Sequence, residues 1–288
     1  MHTAAHTLNY EGTFVYGQKD QLSSMRIIHS ASEKDEKERL VSMDGSGREV
    51  IRKGNSVTCI LPDTQTVVVE KSRPSSQFPP MFPTSIDRLM PNYDFKLVDG
   101  SRVAGRKTLK IVITPKDNLR YGHSLWVDKK TGLLLKTHLL NENSRKLEQF
   151  MFTQINFVDE IPASWLMPAV SGKEFNWYEA AEPEPDQVKK ISDWEVLTLP
   201  KGFMPDMQSK HMAPKNSMPV EHMVFSDGLS SISVFIEKDM NEKDNLVGSS
   251  RMGAVHAHGH KLDGYHVTVV GEAPLASIKM ISKSVRRK

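Results

Sequence analysis

The histidines of "HAHGH", late in the chain, have the spacing that most suggests a metal site. His256, His258 and His260 alternate with small residues, so a strand would project all three imidazoles from one face. Imidazole binds zinc, copper and nickel. No neighbouring group is placed to orient the rings, and Val255 and Ala257 mark the other face as the buried one. We interpret the row as surface histidines and leave an added metal role open.

A methionine-rich stretch precedes this row. "GFMPDMQSKHMAPKNSMPVEHM" contains two histidines, His211 and His222, and five methionines: Met204, Met207, Met212, Met218 and Met223. Because thioethers bind Cu(I), a periplasmic copper carrier is one hypothesis. Methionines also fill irregular gaps in cores, which is their more common role.

Catalytic motifs are absent from the sequence. It contains no Gly-x-Ser-x-Gly, Walker loop, dinucleotide glycine fingerprint or His-Glu-x-x-His. The single cysteine, Cys59, excludes an intramolecular disulfide and a Cys-based zinc site. It lies in the apolar strand pattern "SVTCIL" with no adjacent base, which predicts a buried thiol. We therefore predict a protein that is not an enzyme and needs no cofactor.

Composition favours a soluble protein of two domains. The chain has 288 residues, of which 38% are hydrophobic and 25% charged. No apolar run approaches the roughly 18 residues that span a bilayer. The net charge of +3 is too small to indicate nucleic-acid binding.

The first 158 residues predict a meander of β-strands separated by turn signals such as Asp44-Gly45 and Asp99-Gly100. In one strand Leu109, Ile111 and Ile113 share a face, with Lys110 on the other. The stretch "FMF" at 150–152 is instead apolar on both faces. That combination predicts a curved sheet that is covered on one face and encloses an apolar space on the other.

The segment 75–95, "SSQFPPMFPTSIDRLMPNYDF", interrupts the meander because its prolines forbid a ladder strand. Thr84 or Ser85 can cap a short helix that Pro91 ends after Met90. The segment is strongly apolar through Phe78, Met81, Phe82, Ile86, Leu89 and Met90. Two alternatives remain open: a plug in the open side of the sheet, or a movable lid over a lipid-sized cavity.

Residues 159–193 are rich in proline and glutamate and indicate an exposed linker. Strand patterns resume at 194–197. Asp227-Gly228 and Asp263-Gly264 each predict a hairpin, and a closing helix is expected after Pro274. A second, smaller domain therefore follows the linker.

Six stretches carry a resemblance to a known family, in family order over nearly the whole chain. They are "YEGTFVY" at 10–16, "MDGSGREVIRKGN" at 43–55, "RLMPNYDF" at 88–95, "LEQFMF" at 147–152, "PVEHMVFSDGLSSISVFIEK" at 219–238 and "DGYHVTVVGE" at 263–272. The chain resembles the MucB/RseB regulators of the envelope-stress sigma factor. The resemblance implies a mainly β fold, with a half-open β-barrel and helical plug (LolA/LppX-like) in residues 1–160. A linker would occupy 161–190, and a smaller β-rich domain 191–288.

The resemblance also implies a function in the periplasm. The small domain would hold the periplasmic segment of a membrane anti-sigma factor (MucA/RseA-like) and shield it from the site-1 protease. Lipid or lipopolysaccharide acyl chains in the barrel would release it. The histidine row and the density of methionines are not family signatures. The barrel alone would equally suit a lipid or lipoprotein carrier, since a fold does not fix a function.

Candidate residues follow for both sites. We expect acyl chains to contact Phe14, Tyr16, Phe78, Met81, Phe82, Ile86, Leu89 and Met90. We expect the partner segment to contact Phe225, Ser226, Asp227, Gly228 and Phe235. The oligomeric state is left open, homo-oligomers included.

The first seven residues, "MHTAAHT", lack the basic and apolar regions of a signal peptide. By themselves they fit either a cytoplasmic protein or a trimmed mature chain, and the family resemblance favours the exported form. We expect them to form the remnant of a helix that packs against the first strand.

Overall fold

A computed structural model describes residues 1–31, 36–71, 86–169, 175–179, 192–212, 219–240 and 246–288. The first domain begins with helix α1 (His2–Thr7) and continues as twelve strands. The strands are β1 Tyr10–Gln18, β2 Gln21–Ser30, β3 Lys37–Ser42, β4 Glu49–Lys53, β5 Ser56–Leu61, β6 Thr66–Lys71, β7 Tyr93–Asp99, β8 Thr108–Pro115, β9 Gly122–Asp128, β10 Leu134–Leu140, β11 Lys146–Phe157 and β12 Asn176–Glu179.

These strands form one sheet in the order β12-β6-β5-β4-β3-β2-β1-β11-β10-β9-β8-β7. Every pairing is antiparallel except that of β12 with β6. Among the described strands, β7 and β12 each pair on one side only, so the sheet has two open edges. This architecture confirms the predicted mainly β fold and its half-open barrel.

Aromatic side chains build the core on one face of this sheet. Tyr10 and Phe14 of β1 are almost fully buried, as are Phe150 and Phe152 of β11. Phe14 lies opposite Phe152 in the strand register, and its ring centroid is 5.1 Å from that of Phe150. Ala4 of α1 packs against the same cluster, which confirms the expected helix before the first strand.

A smaller six-stranded sheet forms the second domain, in the order β14-β15-β16-β19-β18-β17. A separate pair, β13–β20, and helix α2 complete it. The elements are β13 Trp194–Val196, β14 Met204–Met212, β15 Pro219–Ser226, β16 Ser231–Lys238, β17 Gly248–Met252, β18 Val255–Leu262, β19 Tyr265–Gly271, α2 Leu275–Ser284 and β20 Val285–Arg287. The structure confirms both predicted hairpins and the closing helix.

Helix α2 covers one face of the small sheet. Its Ile278 and Ile281 are fully buried against Val267 and Val269 of β19, because Pro274 starts the helix where these apolar positions face the sheet. None of the helices in the described part of the chain is long and apolar enough to cross a bilayer.

Several sequence-based expectations differ from the structure. The predicted helix that ends at Met90 is not formed: residues 86–92 form hydrogen-bonded turns, and only its candidate caps, Thr84 and Ser85, lie outside the described residues. Within the predicted linker, a 3₁₀ turn (Ala163–Leu166) precedes β12, which belongs to the large sheet. Cys59 is only partly buried, whereas Val57 and Ile60 of the same strand are buried.

The close packing of β1 on β11 makes Gly12→Ala a sensitive test of the fold. A Cβ at residue 12 would lie 2.6 Å from the carbonyl oxygen of Gln154 and 2.9 Å from Cε1 of Phe152. We expect a loss of about 1–3 kcal/mol in the free energy of unfolding, measured by chemical denaturation. Gly47→Ala is the control, since its nearest contact would be an ordinary 3.5 Å. Equal stability of the two variants would contradict this packing.

Candidate functional site

An apolar cavity of about 260 Å³ lies between the turn at 86–92 and strands β7–β9. One charged residue, Lys96, borders the cavity. The other lining residues are apolar: Met1, Ile86, Leu89, Phe95, Leu97, Ile111, Ile113 and Leu125. Such walls offer almost no hydrogen-bonding groups, so the cavity suits a hydrocarbon chain rather than a polar metabolite.

The alternation of side chains along β7 and β8 determines which residues line the cavity. Phe95 and Leu97 of the edge strand β7 pair with Ile113 and Ile111 of β8, so the four side chains share one face. Leu89 closes the inner end and is almost fully buried. Leu97 is 62% exposed, so the cavity opens to solvent along the sheet edge.

The structure brings together only part of the predicted lipid site. Ile86 and Leu89 line the cavity, whereas Met90 is 53% exposed and is not among the lining residues. Phe14 belongs to the aromatic core, and the hydroxyl of Tyr16 donates to Glu148 at 2.5 Å. Phe78, Met81 and Phe82 lie outside the described residues.

Most of the cavity walls are not among the lipid-contact residues predicted from the sequence. The alternation of Ile111 and Ile113 predicts that they share a strand face, but not that this face meets a ligand. Phe95 and Leu97 alternate with charged or small positions in "YDFKLVD", a signal that could have identified β7 as a wall.

A buried ion pair joins the two domains. Arg120, in the β8–β9 loop, donates from Nη1 to Oδ2 of Asp227 at 2.8 Å, and both side chains are at most 1% exposed. Its other nitrogens donate to Asp117 Oδ1 at 3.0 Å and to the Lys201 carbonyl at 2.6 Å. The hydroxyl of Tyr93 donates to the same Asp227 oxygen at 2.8 Å. The second Asp227 oxygen accepts two backbone N–H groups of its own hairpin turn.

Tyr93 connects this ion pair to the cavity. Burial and the adjacent Asp227 carboxylate raise the pKa of Tyr93, so its phenol keeps the proton it donates. The Tyr93 N–H donates to the Leu89 carbonyl at 2.9 Å, and both side chains belong to one apolar cluster. Leu229, from the hairpin that carries Asp227, packs against that cluster. The cavity wall and the domain interface therefore share one structural unit.

Other contacts extend the interface on both sides. A Cβ at Gly202 of the small domain would come within 2.1 Å of the side-chain nitrogen of Asn92. Tyr121 donates to the carbonyl of Ala254 at 3.0 Å, and Ser277 donates to the carbonyl of Leu119. These bonds fix the placement of the small domain against the β8–β9 loop.

A pair of carboxylates also lies between the domains. Glu148 of β11 accepts hydrogen bonds from Tyr16 at 2.5 Å and from Gln18 at 2.6 Å. Burial, with a further contribution from the Glu148 charge, raises the pKa of Glu272 in the small domain to about 7. The nearby Gly253 leaves room for Gln18, since a Cβ there would lie 2.1 Å from its side-chain nitrogen.

The predicted partner-binding residues divide between the interface and the surface. Phe225 is buried in the small-domain core, and Asp227 is held in the ion pair. Accessible surface remains on Ser226, Gly228 and Phe235. The Phe235 ring stacks on that of His222, with the ring centroids 4.2 Å apart. The tip of this hairpin faces the large domain, a contact that its Asp-Gly turn signal could not reveal.

The histidine row lies on the covered face of the small sheet, not on the open face predicted for it. His258 and His260 are paired with Val269 and Val267, the residues under α2. Burial lowers the pKa of both rings, and His260 bonds to Ser282 of the helix at 3.0 Å. His256 bonds to the carbonyl of Ala273 at 2.9 Å. Each ring thus already has a hydrogen-bonding partner.

Met218 lies outside the described residues, and the methionines of this stretch whose side chains the structure describes do not form one cluster. Met223 belongs to the small-domain core, whereas Met204 is exposed. Within the described ranges, no group of three or more histidine, cysteine or acidic side chains converges on a metal position.

The fold and cavity define a class of protein: two β domains joined by a buried polar interface, with an apolar cavity beside it. A family model described as the MucB/RseB N-terminal domain matches residues 1–170, and one described as the MucB/RseB C-terminal domain matches residues 188–286. The chain belongs to the MucB/RseB family.

Named relatives cover nearly the full length. "Sigma factor AlgU regulatory protein MucB" of Pseudomonas aeruginosa is 34% identical over 96% of this chain and 86% of the relative. "Sigma-E factor regulatory protein RseB" of Escherichia coli K12 is 28% identical, over 99% of this chain and 88% of the relative. The complex structure of P. aeruginosa MucA/MucB matches with a TM-score of 0.76 and 30% identity, covering 99% of this chain and 95% of the matched one. A crystal structure of MucB in complex with MucA(peri) matches with a TM-score of 0.74 and 29% identity, at the same coverage.

Removal of one partner of the interface ion pair should strongly destabilise the protein. Arg120→Met would leave the buried Asp227 carboxylate without its cation, and we expect a loss of about 3–5 kcal/mol in the free energy of unfolding. Tyr93→Phe removes one hydrogen bond and should cost about 1 kcal/mol. Chemical denaturation measures both.

Arg286→Met is the matched control, because Arg286 pairs with Glu195 on the surface and such pairs contribute at most about 1 kcal/mol. Equal losses for the Arg120 and Arg286 variants would contradict the role assigned to the interface.

Proposed function

We propose that this protein is a periplasmic, non-enzymatic regulator of an envelope-stress sigma factor. It binds the periplasmic segment of a membrane anti-sigma factor, shields that segment from site-1 proteolysis, and releases it when acyl chains enter the large domain. The observation that carries the proposal is the family match over both domains, with relatives named as sigma factor regulators. A MucB relative has been solved in complex with MucA(peri), a precedent for this kind of partner.

The alternative function is a lipid or lipoprotein carrier, which the apolar cavity alone would also suit. The domain interface favours the regulator. A carrier needs only the cavity, whereas here the cavity wall is bonded to a second domain through Tyr93 and Asp227. That connection gives the second domain a means to respond to what the cavity contains.

The size of the cavity suggests how a lipid would act. Ligand pockets commonly measure about 300–1,000 Å³, so 260 Å³ accommodates one short chain or the end of a longer one. Each buried methylene contributes about 0.8 kcal/mol, so a twelve-carbon chain could contribute up to about 9 kcal/mol before ordering costs. Full insertion of such a chain requires displacement of the turn at 86–92, whose Leu89 closes the inner end.

That displacement would reach the small domain. Leu89 and Tyr93 are linked by a backbone hydrogen bond, so movement of the turn pulls Tyr93 away from Asp227. The hairpin that carries Asp227 also carries the accessible candidates Ser226, Gly228 and Phe235. We place the main contact with the anti-sigma segment on this small-domain hairpin. A change in the placement of the domains would alter how accessible the hairpin is to that segment. A ligand that prefers the displaced state thereby lowers partner affinity.

Acyl-chain uptake should depend on the cavity mouth. Ile86→Asp puts a carboxylate into an apolar wall, and because Ile86 is 50% exposed the variant should still fold. We expect its affinity for a fluorescent fatty acid to fall at least tenfold, and Leu89→Ala to change affinity as well by enlarging the cavity. Leu22→Asp, an exposed leucine outside the cavity, is the control. Unchanged affinity in both folded cavity variants would refute the lipid site.

Partner binding and lipid binding should weaken each other. We expect saturating twelve-carbon fatty acid to lower affinity for the anti-sigma periplasmic segment about tenfold, which corresponds to about 1.4 kcal/mol of coupling. The partner must then lower lipid affinity by the same factor. Calorimetric titrations in both orders measure the coupling. Tyr93→Phe should still bind the partner, but the factor by which lipid lowers partner affinity should be smaller. The substitution removes the hydrogen bond from Tyr93 to Asp227 that connects the turn at 86–92 with the hairpin.

The outcomes separate the hypotheses. Lipid binding without any binding of the anti-sigma segment would favour the carrier. Binding of both with no mutual effect would leave a protective partner with an uncoupled lipid pocket.

A further inference from the structure

The outer face of strands β8–β10 carries a row of lysines around a tryptophan. Register places Lys110 of β8 opposite Trp126 of β9, and Trp126 opposite Lys136 of β10. Both ammonium nitrogens lie 4.8 Å from the centre of the Trp126 ring. Leu125, the neighbour of Trp126, points to the opposite face and lines the cavity. The row therefore lies on the other side of the cavity-forming sheet.

Lysines are the main charged groups on this face, which also carries two carboxylates: Asp94 of β7 pairs with Lys116 at 3.4 Å, and the buried Asp128 of β9 pairs with Arg106. Lys146 and His138 lie on the same side as Lys136, and the His138 ring centre is 4.8 Å from that of Trp126. Burial, followed by the Lys146 and Lys110 charges, lowers the pKa of Lys136. Burial and the same three lysines lower that of His138 to about 4. In the described part of the chain, no carboxylate bonds to Lys110, Lys136 or Lys146, and Lys146 donates only to the amide of Gln149.

Lys110 and Lys136 flank Trp126 from the two strands beside β9, so positive charge gathers around one ring and attracts an anionic partner. The lysines are spread across the sheet from β7 to β11 rather than gathered at one point. Lysine is a hydrated point charge on a flexible stem, suited to diffuse attraction, whereas arginine suits bidentate recognition of a single group. A planar layer of anionic headgroups fits these features better than an extended acidic peptide, which would need a groove or paired donors.

The position of this face relative to the cavity supports the same partner. Lys96 of β7 lies opposite Val112, on the side of Lys110, and it also borders the cavity mouth. Phe95 and Leu97, its neighbours, point into the cavity. A headgroup layer against the lysines would therefore sit beside an opening lined by hydrocarbon side chains.

We propose that the outer face formed by Lys96, Lys110, Lys136 and Lys146 docks this protein onto a membrane surface of anionic phospholipid headgroups. The cavity mouth then lies at the edge of the contact. The inference concerns the outer face alone and does not depend on the proposed function.

Vesicle sedimentation tests the docking surface. The full chain is incubated at low salt with phosphatidylcholine vesicles that contain one-third phosphatidylglycerol, and with vesicles of phosphatidylcholine alone. We expect binding only to the anionic vesicles. The triple variant K110Q/K136Q/K146Q should bind about a hundredfold more weakly, since each lysine near an anionic surface contributes roughly fivefold. Binding by the wild type should largely disappear at about 0.5 M NaCl.

Two further variants control for net charge and geometry. K238Q/K279Q/K283Q removes the same number of charges from exposed positions of the small domain and should bind like the wild type. K110R/K136R/K146R keeps the charges and should also bind. The proposal is overturned if the wild type does not bind anionic vesicles, if both glutamine variants lose affinity equally, or if neutral vesicles bind as well. Binding of an acidic polypeptide in place of vesicles would overturn it in favour of a protein partner.

Discussion

The most deeply buried polar contact between the two domains is the ion pair of Arg120 with Asp227. Removing two charges from water is costly, and their mutual attraction compensates only when every remaining donor and acceptor is satisfied. Here the guanidinium has three acceptors, and the carboxylate accepts from Tyr93 and from two backbone N–H groups as well. A partial displacement would leave buried charges without partners. The interface should therefore favour two discrete arrangements over a continuum of domain angles.

Because the cavity wall is bonded to this interface, a change in the cavity can affect the second domain. The turn at 86–92 does two things at once: Leu89 closes the cavity, and the following Tyr93 completes the coordination of Asp227. Under the proposed function, a ligand that fits within the existing space would leave the interface intact, whereas a longer chain would have to move the turn. Chain length, and not only the presence of a lipid, would then decide whether the second domain responds.

Local patterns predicted the elements well because they depend on neighbours in sequence. The alternation of Ile111 and Ile113 identified a strand face, and the Asp-Gly pairs identified hairpins, since both signals are set within a few residues. The site was harder to predict. Asp227 looks like an ordinary turn residue, and its partner Arg120 lies 107 positions away. Local alternation predicts that the three histidines share a face, but it does not say on which side of the sheet a later helix will pack.

The same period-two alternation explains how one edge of the sheet can serve two environments. Along β7, Phe95 and Leu97 point inward while Lys96 points outward, and β8 and β9 repeat the pattern with Ile111 and Leu125 against Lys110 and Trp126. A lipid has the matching division, with an apolar chain and a charged head joined at one end. A lipid that passes around this edge could place its chain against the apolar face and its head against the lysine face. Such an arrangement needs an unpaired edge strand, and the open edge at β7 provides it.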